Sequence, residues 1–232
     1  MKVQRLRVTF GRGDQVKYIT HLDLMRFWER ALRRAGVPIA YSQGFNPTPK
    51  ISLAAPLPVG VTSSCELMDV YLWRRISPFS FIKAVAGQLP PGFEVLAAQE
   101  VGIGLPSLQS QVRWAEYQVE VPADGDAATD VKAAIRKLLA AKSLPWQHVR
   151  DKEVRRYDLR ALVDDVWLLG AAKGVTLLGM RLRCDNVATG RPEQVAAALG
   201  LRQQRRRIHR TRLILEETSP AQRARRRYSL SS

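Results

Sequence analysis

Residues 3–36, VQRLRVTFGRGDQVKYITHLDLMRFWERALRRAG, carry the two periodicities that decide the fold. From Val3 to Phe10 apolar and polar side chains alternate, with Leu6, Val8 and Phe10 on one face and Arg5, Arg7 and Thr9 on the other. That is the pattern of a half-buried strand. The period then lengthens. Thr20 offers an N-cap, Asp23 stands at the capping-box position, and Gly36 closes the segment, so the residues between them form a helix. Leu24, Phe27, Trp28, Ala31, Leu32 and Ala35 make its apolar stripe. The opposite face carries Arg26, Arg30, Arg33 and Arg34, relieved by Asp23 and Glu29.

Outward from this strand and helix, short strands are expected at Val37–Tyr41, Ile51–Ala54 and Glu66–Leu72. Ser77-Pro78 starts a second helix by the cap-then-proline rule, ending near Gly87, and Phe93–Val101 is a further strand. The rhythm then repeats. Val112–Val121 is strand-like, Ala127–Ala141 is an amphipathic helix, and Asp165–Leu169 and Val175–Arg183 are strands beside Gly170 and Gly174. Arg191-Pro192-Glu193 opens a short helix that ends at Gly200, and Arg207–Leu215 alternates as a last strand. The expected fold is therefore α+β, two tandem ferredoxin-like halves of βαββαβ order. The halves cover residues 1–105 and 106–218, and Ser143–Val163 has no counterpart in the first half.

The 232 residues include 37 Lys plus Arg against 21 Asp plus Glu, a net charge of +16. Such an excess points to a polyanion, RNA before an acidic protein. From Leu201 to Ser232 ten arginines face only Glu216 and Glu217. Residues 219–232 have no apolar pattern and read as a basic disordered arm bearing Arg223, Arg225, Arg226 and Arg227. No apolar run is long enough to span a bilayer, and Met1–Phe10 lacks the core of a signal peptide. Cys65 and Cys184 are the only cysteines, which fits a reducing cytoplasm.

Several chemistries are absent. Gly102-Ile103-Gly104 lacks the third glycine of a dinucleotide loop, and no phosphate-cradling Gly-Lys-Ser/Thr motif occurs. His21, His148, His209 and the two cysteines lack metal-ligand spacing, and two thiols cannot hold an iron–sulfur cluster. No Gly-x-Ser-x-Gly elbow is present. No cofactor is expected.

Tyr41–Lys50 is the most informative loop. Gly44, Pro47 and Pro49 stiffen it, and it displays Gln43, Phe45, Asn46 and Lys50 with Tyr41 at its base. Amides, an aromatic plane and a cation on one rigid loop suit a splayed single-stranded base. The alternative is a proline-rich connection whose Phe45 tucks into the core. His21, by helical angle, faces the apolar side, where a histidine is more often a hydrogen-bonded core residue than a catalyst. At a helix N-terminus it could also sit beside a phosphate.

The first third of the chain carries Thr20-His21-Leu22-Asp23-Leu24-Met25-Arg26, Arg33-Arg34-Ala35-Gly36, Tyr41-Ser42-Gln43-Gly44-Phe45-Asn46-Pro47, Pro56-Leu57-Pro58-Val59-Gly60 and Glu66-Leu67-Met68-Asp69-Val70. They resemble an uncharacterised, radical-SAM-linked family of bacterial domains, here without the radical-SAM portion. Asp158-Leu159-Arg160 and Arg191-Pro192-Glu193 are similar to weaker motifs of its second half. The resemblance implies a radical-SAM protein as partner.

The reading that unites these features is an RNA-binding accessory module acting on transfer or ribosomal RNA with a radical-SAM or RNA-processing partner. Its contacts would be Arg26, Arg30, Arg33, Arg34, Tyr41, Gln43, Phe45, Asn46 and Lys50, with Arg205, Arg206 and Arg207 and the arginines of the arm. One alternative is a metal-independent endoribonuclease casting Tyr18, His21 and Lys50 as its acid–base set, although Arg202–Arg212 lacks the glycine-rich loop of such enzymes. The other is a protein-docking scaffold for a radical-SAM subunit, without RNA contact.

Overall fold

The computed structural model describes residues 2–122, 127–150, 153–172, 174–201 and 207–216. Residues 217–232, with the basic arm, and Arg205 and Arg206 lie outside the described residues. The chain forms a mixed α/β fold around one large, mostly antiparallel sheet.

The first half contributes β1 (Gln4–Arg12), α1 (His21–Arg34), β2 (Ile51–Leu53), β3 (Thr62–Leu72), α2 (Pro78–Ala86) and β4 (Phe93–Val101). A short helix, α3 (Leu108–Gln111), leads into β5 (Val112–Pro122) and α4 (Ala127–Ala140). The hairpin β6 (Pro145–Arg150) and β7 (Glu153–Asp158) follows, then β8 (Val163–Ala172), β9 (Val175–Arg183), α5 (Pro192–Ala198) and β10 (Arg207–Leu215). The sheet order is β4-β1-β3-β10-β5-β9-β8, with β2 also paired to β3. Every pairing in it is antiparallel except β3 with β10, where His209 and Arg210 register with Thr62 and Ser63.

Local signals set the helix ends. Thr20 Oγ1 accepts from the Asp23 amide at 3.2 Å, and Gly36 takes the left-handed φ of 65° just past the C-terminus. Ser77 caps α2 in the same way, accepting from the Ser80 amide at 3.0 Å ahead of Pro78. Leu24, Trp28 and Leu32 bury the stripe of α1 in one cluster with Leu6, Val8 and Phe10 of β1. Trp28 meets Phe10 edge to face at 4.8 Å. Removing a fully buried tryptophan of this kind costs about 3–5 kcal/mol.

A second core lies in the other half, where Ala115, Tyr117 and Val119 of β5 oppose Leu182, Met180 and Leu178 of β9. Val131, Ile135 and Leu138 of α4 and Val195 and Ala196 of α5 belong to it.

Two expectations change, and the unmatched segment takes a definite form. Val37–Tyr41 is not a strand: it makes only isolated bridges, Ile39 with Leu72 and Tyr41 with Pro49, because Pro38 and Pro49 supply no amide for a ladder. Ser143–Val163, the segment without counterpart, holds the β6–β7 hairpin, a two-stranded sheet of its own. Finally, β1 is buried on both faces. Arg5 and Arg7, placed on an open side by alternation, are covered because Asp69 neutralises them and residues 105–111 lie over them. The strands of both halves join in one continuous sheet through the β3–β10 contact.

Candidate nucleic-acid interface

The outer face of α1 comes first. Arg26, Arg30, Arg33 and Arg34 are all exposed. Arg33 reaches Glu29 at 2.9 Å one turn back, and Arg26 reaches Asp23 at 3.9 Å. Exposed pairs of this sort are screened by solvent and contribute little to stability. Among the described residues Arg30 and Arg34 make no ion pair, so two guanidiniums of the stripe have no acid to neutralise them.

The loop from Tyr41 to Lys50 stands beside this face, since Tyr41 interacts with Arg33 and, with Glu29 behind it, holds the Arg33 guanidinium above its ordinary pKa. The loop is braced at its base. The Ser42 amide donates to the Thr48 carbonyl at 2.9 Å, the Thr48 amide donates to Ser42 Oγ at 2.9 Å, and the Lys50 amide donates to the Ala40 carbonyl at 2.8 Å. Gly44 at the tip has φ 125°, a conformation that a side chain disfavours. Phe45 next to it is 105% exposed, more than any other large apolar residue described. The ring is not a core residue, which answers the alternative raised by the proline-rich sequence. Gln43 and Asn46 are exposed with it, and Lys50 is half-buried at the loop's foot.

The histidine at the start of α1 departs from expectation. His21 is exposed, not turned into the core, because the apolar stripe begins only at Leu24. Tyr18 is 71% exposed with Lys17 over its ring. Among the described residues no hydrogen bond or ion pair joins any two of Tyr18, His21 and Lys50. Lys50 belongs to a different segment, its carbonyl accepting from the Tyr71 amide at 3.0 Å.

Two features were missed by sequence reading. The first is a buried ionic network. Arg210 donates to Glu66 through Nε at 2.9 Å and Nη2 at 2.6 Å, while Arg5 and Arg7 share Asp69. Arg12 is also buried, its side chain donating to the Val16 and Ile19 carbonyls, and burial lowers its pKa against the raising influence of Glu66. These four arginines count toward the net charge but are withdrawn from any polyanion.

The second is a groove of about 570 Å³ at the β3–β10 junction. One wall is Thr62, Ser64 and His209; the other comes from the turn after β1 and the start of β4. His209 Nδ1 lies 2.8 Å from Thr62 Oγ1, and its Nε2 lies 3.1 Å from Ser64 Oγ. Desolvation lowers the His209 pKa below its ordinary value, so the ring is neutral at pH 7. Ser64 and His209 lie 145 residues apart in sequence, so no local motif could have announced them.

A family model described as "Uncharacterized protein conserved in bacteria (DUF2344)" matches residues 5–192. The chain belongs to this family. The match covers Tyr18–Asp69, where the motif resemblance was found, but the description says nothing of radical-SAM proteins, and nothing else in the comparisons supports that partner. No curated protein matches the chain. Among solved structures, it is similar to a "Cbf5-Nop10-Gar1 Complex" chain at 10% identity and TM-score 0.48 over 91% of its residues. An archaeal box H/ACA sRNP Nop10-Cbf5 complex gives 11% identity and 0.44 over 93%. An H/ACA RNP bound to a substrate RNA gives 11% and 0.43 over 90%. The chain spans about half the length of each of these, at 49%, 50% and 47%. Likeness at this level bears on neither partner nor reaction. No helix among the described residues is long and apolar enough to cross a membrane.

Proposed function

We propose that this chain is an RNA-binding accessory module that holds a single-stranded segment between the arginine face of α1 and the loop from Tyr41 to Lys50. The observation that carries the reading is Phe45: a fully exposed ring on a braced loop whose base, Tyr41, interacts with Arg33 of the arginine face. A rigid loop loses little entropy on binding, and an exposed aromatic plane stacks on any base. Arg30, Arg34 and Lys50 would take the phosphates. Transfer or ribosomal RNA, delivered to an RNA-processing partner, is the substrate class this suits. No geometry favours the endoribonuclease reading, and none favours a scaffold without RNA.

The same proposal reads the two halves as repeats. Within the first half the strands run β4-β1-β3-β2, and within the second β10-β5-β9-β8, which supports a duplicated ferredoxin-like unit at residues 1–105 and 106–218.

The test is a titration of fluorescent single-stranded and duplex RNA with wild type and Phe45→Ala. Binding should favour single strands and weaken by ~1–3 kcal/mol in the variant, the range for base–aromatic stacking. The melting temperature should stay put, because an exposed ring leaves no cavity. Equal affinity of variant and wild type for single strands would overturn the assignment of this loop.

A further inference from the structure

The groove between β3, β10 and the turn after β1 lies outside the interface just described, and its chemistry is specific. Thr62 Oγ1 donates to the Ile208 carbonyl at 3.4 Å, so it accepts from His209 Nδ1–H at 2.8 Å. With the proton on Nδ1, the tautomer that lets Thr62 keep its donation to the Ile208 carbonyl, Nε2 is an acceptor facing the exposed Ser64 hydroxyl at 3.1 Å. The Ser64 hydroxyl then donates its own proton to Nε2, which leaves its oxygen as an acceptor for a ligand donor at the groove wall.

Across the groove stand two carboxylates, Asp14 and the exposed Glu94. Both are acceptors for ligand N–H or O–H groups. Gly11, Gly13 and Gly92 carry no side chain into the space, and Phe93 and Leu96 give it an apolar surface, so a flat ring can lie against the wall. The turn is held in place by the Gly13 amide donating to the Gly92 carbonyl at 2.7 Å. Cations stand at the rim. Lys17 bonds Asp14 at 2.8 Å, and after it Arg207 adds to the field that keeps the Asp14 carboxyl below its ordinary pKa. A ligand that is planar, rich in hydrogen-bond donors and negatively charged at one end satisfies all three walls.

We propose that this groove binds one unstacked nucleotide, its base or ribose donors met by Asp14, Glu94 and the Ser64–His209 pair and its phosphate by Lys17 and Arg207. The proposal rests on the RNA reading above, since the nucleotide would be one of the bound strand. The volume of about 570 Å³ lies inside the range of small-molecule pockets and is ample for one nucleotide.

The experiment titrates the full chain calorimetrically with the four 5′-nucleoside monophosphates, with ribose 5-phosphate, inorganic phosphate and putrescine as separate arms. At least one monophosphate should bind at about millimolar affinity, more tightly than any of the other three probes. Ser64→Ala and Glu94→Gln, both at exposed positions that folding tolerates, should each weaken it about 3–10-fold, the effect of one lost hydrogen bond. Binding of putrescine alone would show an acidic cation site and overturn the proposal. So would binding of phosphate as tight as that of the nucleotides, or indifference to both substitutions. If single-stranded RNA binds in a Phe45-dependent way but no monophosphate does, the groove assignment fails and the RNA reading stands. If neither binds, both fail.

Discussion

Arg210 on β10 and Glu66 on β3 form an ion pair sealed inside the protein, with Nη2 2.6 Å from Oε2 and side chains 0% and 4% exposed. The pair sits where the two halves of the sheet meet through the parallel β3–β10 contact. Two further donations from Arg210, to the Ala55 and Pro56 carbonyls at 3.3 Å, complete its hydrogen bonding.

Breaking this pair from one side should therefore be far more damaging than removing it whole. Glu66→Ala leaves Arg210 without an acid, beside the buried Arg12 that Glu66 also steadies. Destabilisation of about 3–5 kcal/mol is expected for the single change, and a smaller loss for Glu66→Leu combined with Arg210→Met. Chemical denaturation of the three proteins checks this, and a double variant less stable than the single one would refute it.

The salt dependence of RNA binding separates charge from stacking. Arg30→Gln, Arg34→Gln and Lys50→Ala should each lower the slope of log affinity against log salt by ~0.7 on single strands, one counterion per lost phosphate contact. They should leave preference among sequences unchanged. Phe45→Ala should lower affinity with the slope intact. A Phe45→Ala variant that flattens the slope would mean the ring acts by shaping the loop rather than by stacking.

Gly179 of β9 lies directly beneath the indole of Trp167 on β8, its partner in the antiparallel register, and a Cβ there would overlap the ring. Gly179→Ala should force the indole off the sheet and cost about 1–3 kcal/mol. Trp167→Ala in the same background should recover part of that loss. Thermal melts, with tryptophan fluorescence reporting the ring's displacement, test both statements.

Burial pushes the Cys65 thiol up from 9.0 to about 11 and raises that of Cys184 too. Both are therefore protonated and unreactive at neutral pH. Alkylation by iodoacetamide at pH 8 should be much slower in the native protein than in denaturant. The linkage has a definite sign. A thiol whose folded pKa is raised contributes stability fully below 9, and that contribution is lost as pH climbs toward 11. Tyr117, pushed up to about 12 by burial, extends the alkaline loss in the same direction. Rapid labelling of Cys65 in the folded state would contradict its partly buried, desolvated placement.

What could be read from the sequence was what depends on neighbours along the chain. The alternation of Leu6, Val8 and Phe10, the Thr20–Asp23 cap, the Ser77-Pro78 start and the stripe of α1 each involve residues a few positions apart, and each occurs in the structure. The loop from Tyr41 to Lys50 was legible for the same reason, through its glycine and prolines, although only the fold showed that Phe45 points into solvent. Long-range pairing decided the rest. The parallel contact of β3 with β10 joins residues nearly 150 positions apart, and no local pattern encodes which strand edges will meet. That one pairing places Arg210 against Glu66 and His209 between Thr62 and Ser64. It therefore turns residues that read as surface charge and a stray histidine into a buried ion pair and the wall of a groove. Charge and hydrogen bonding act over a few ångströms of space, whatever their separation in sequence, so the tertiary structure alone decided which arginines face solvent and which are neutralised inside.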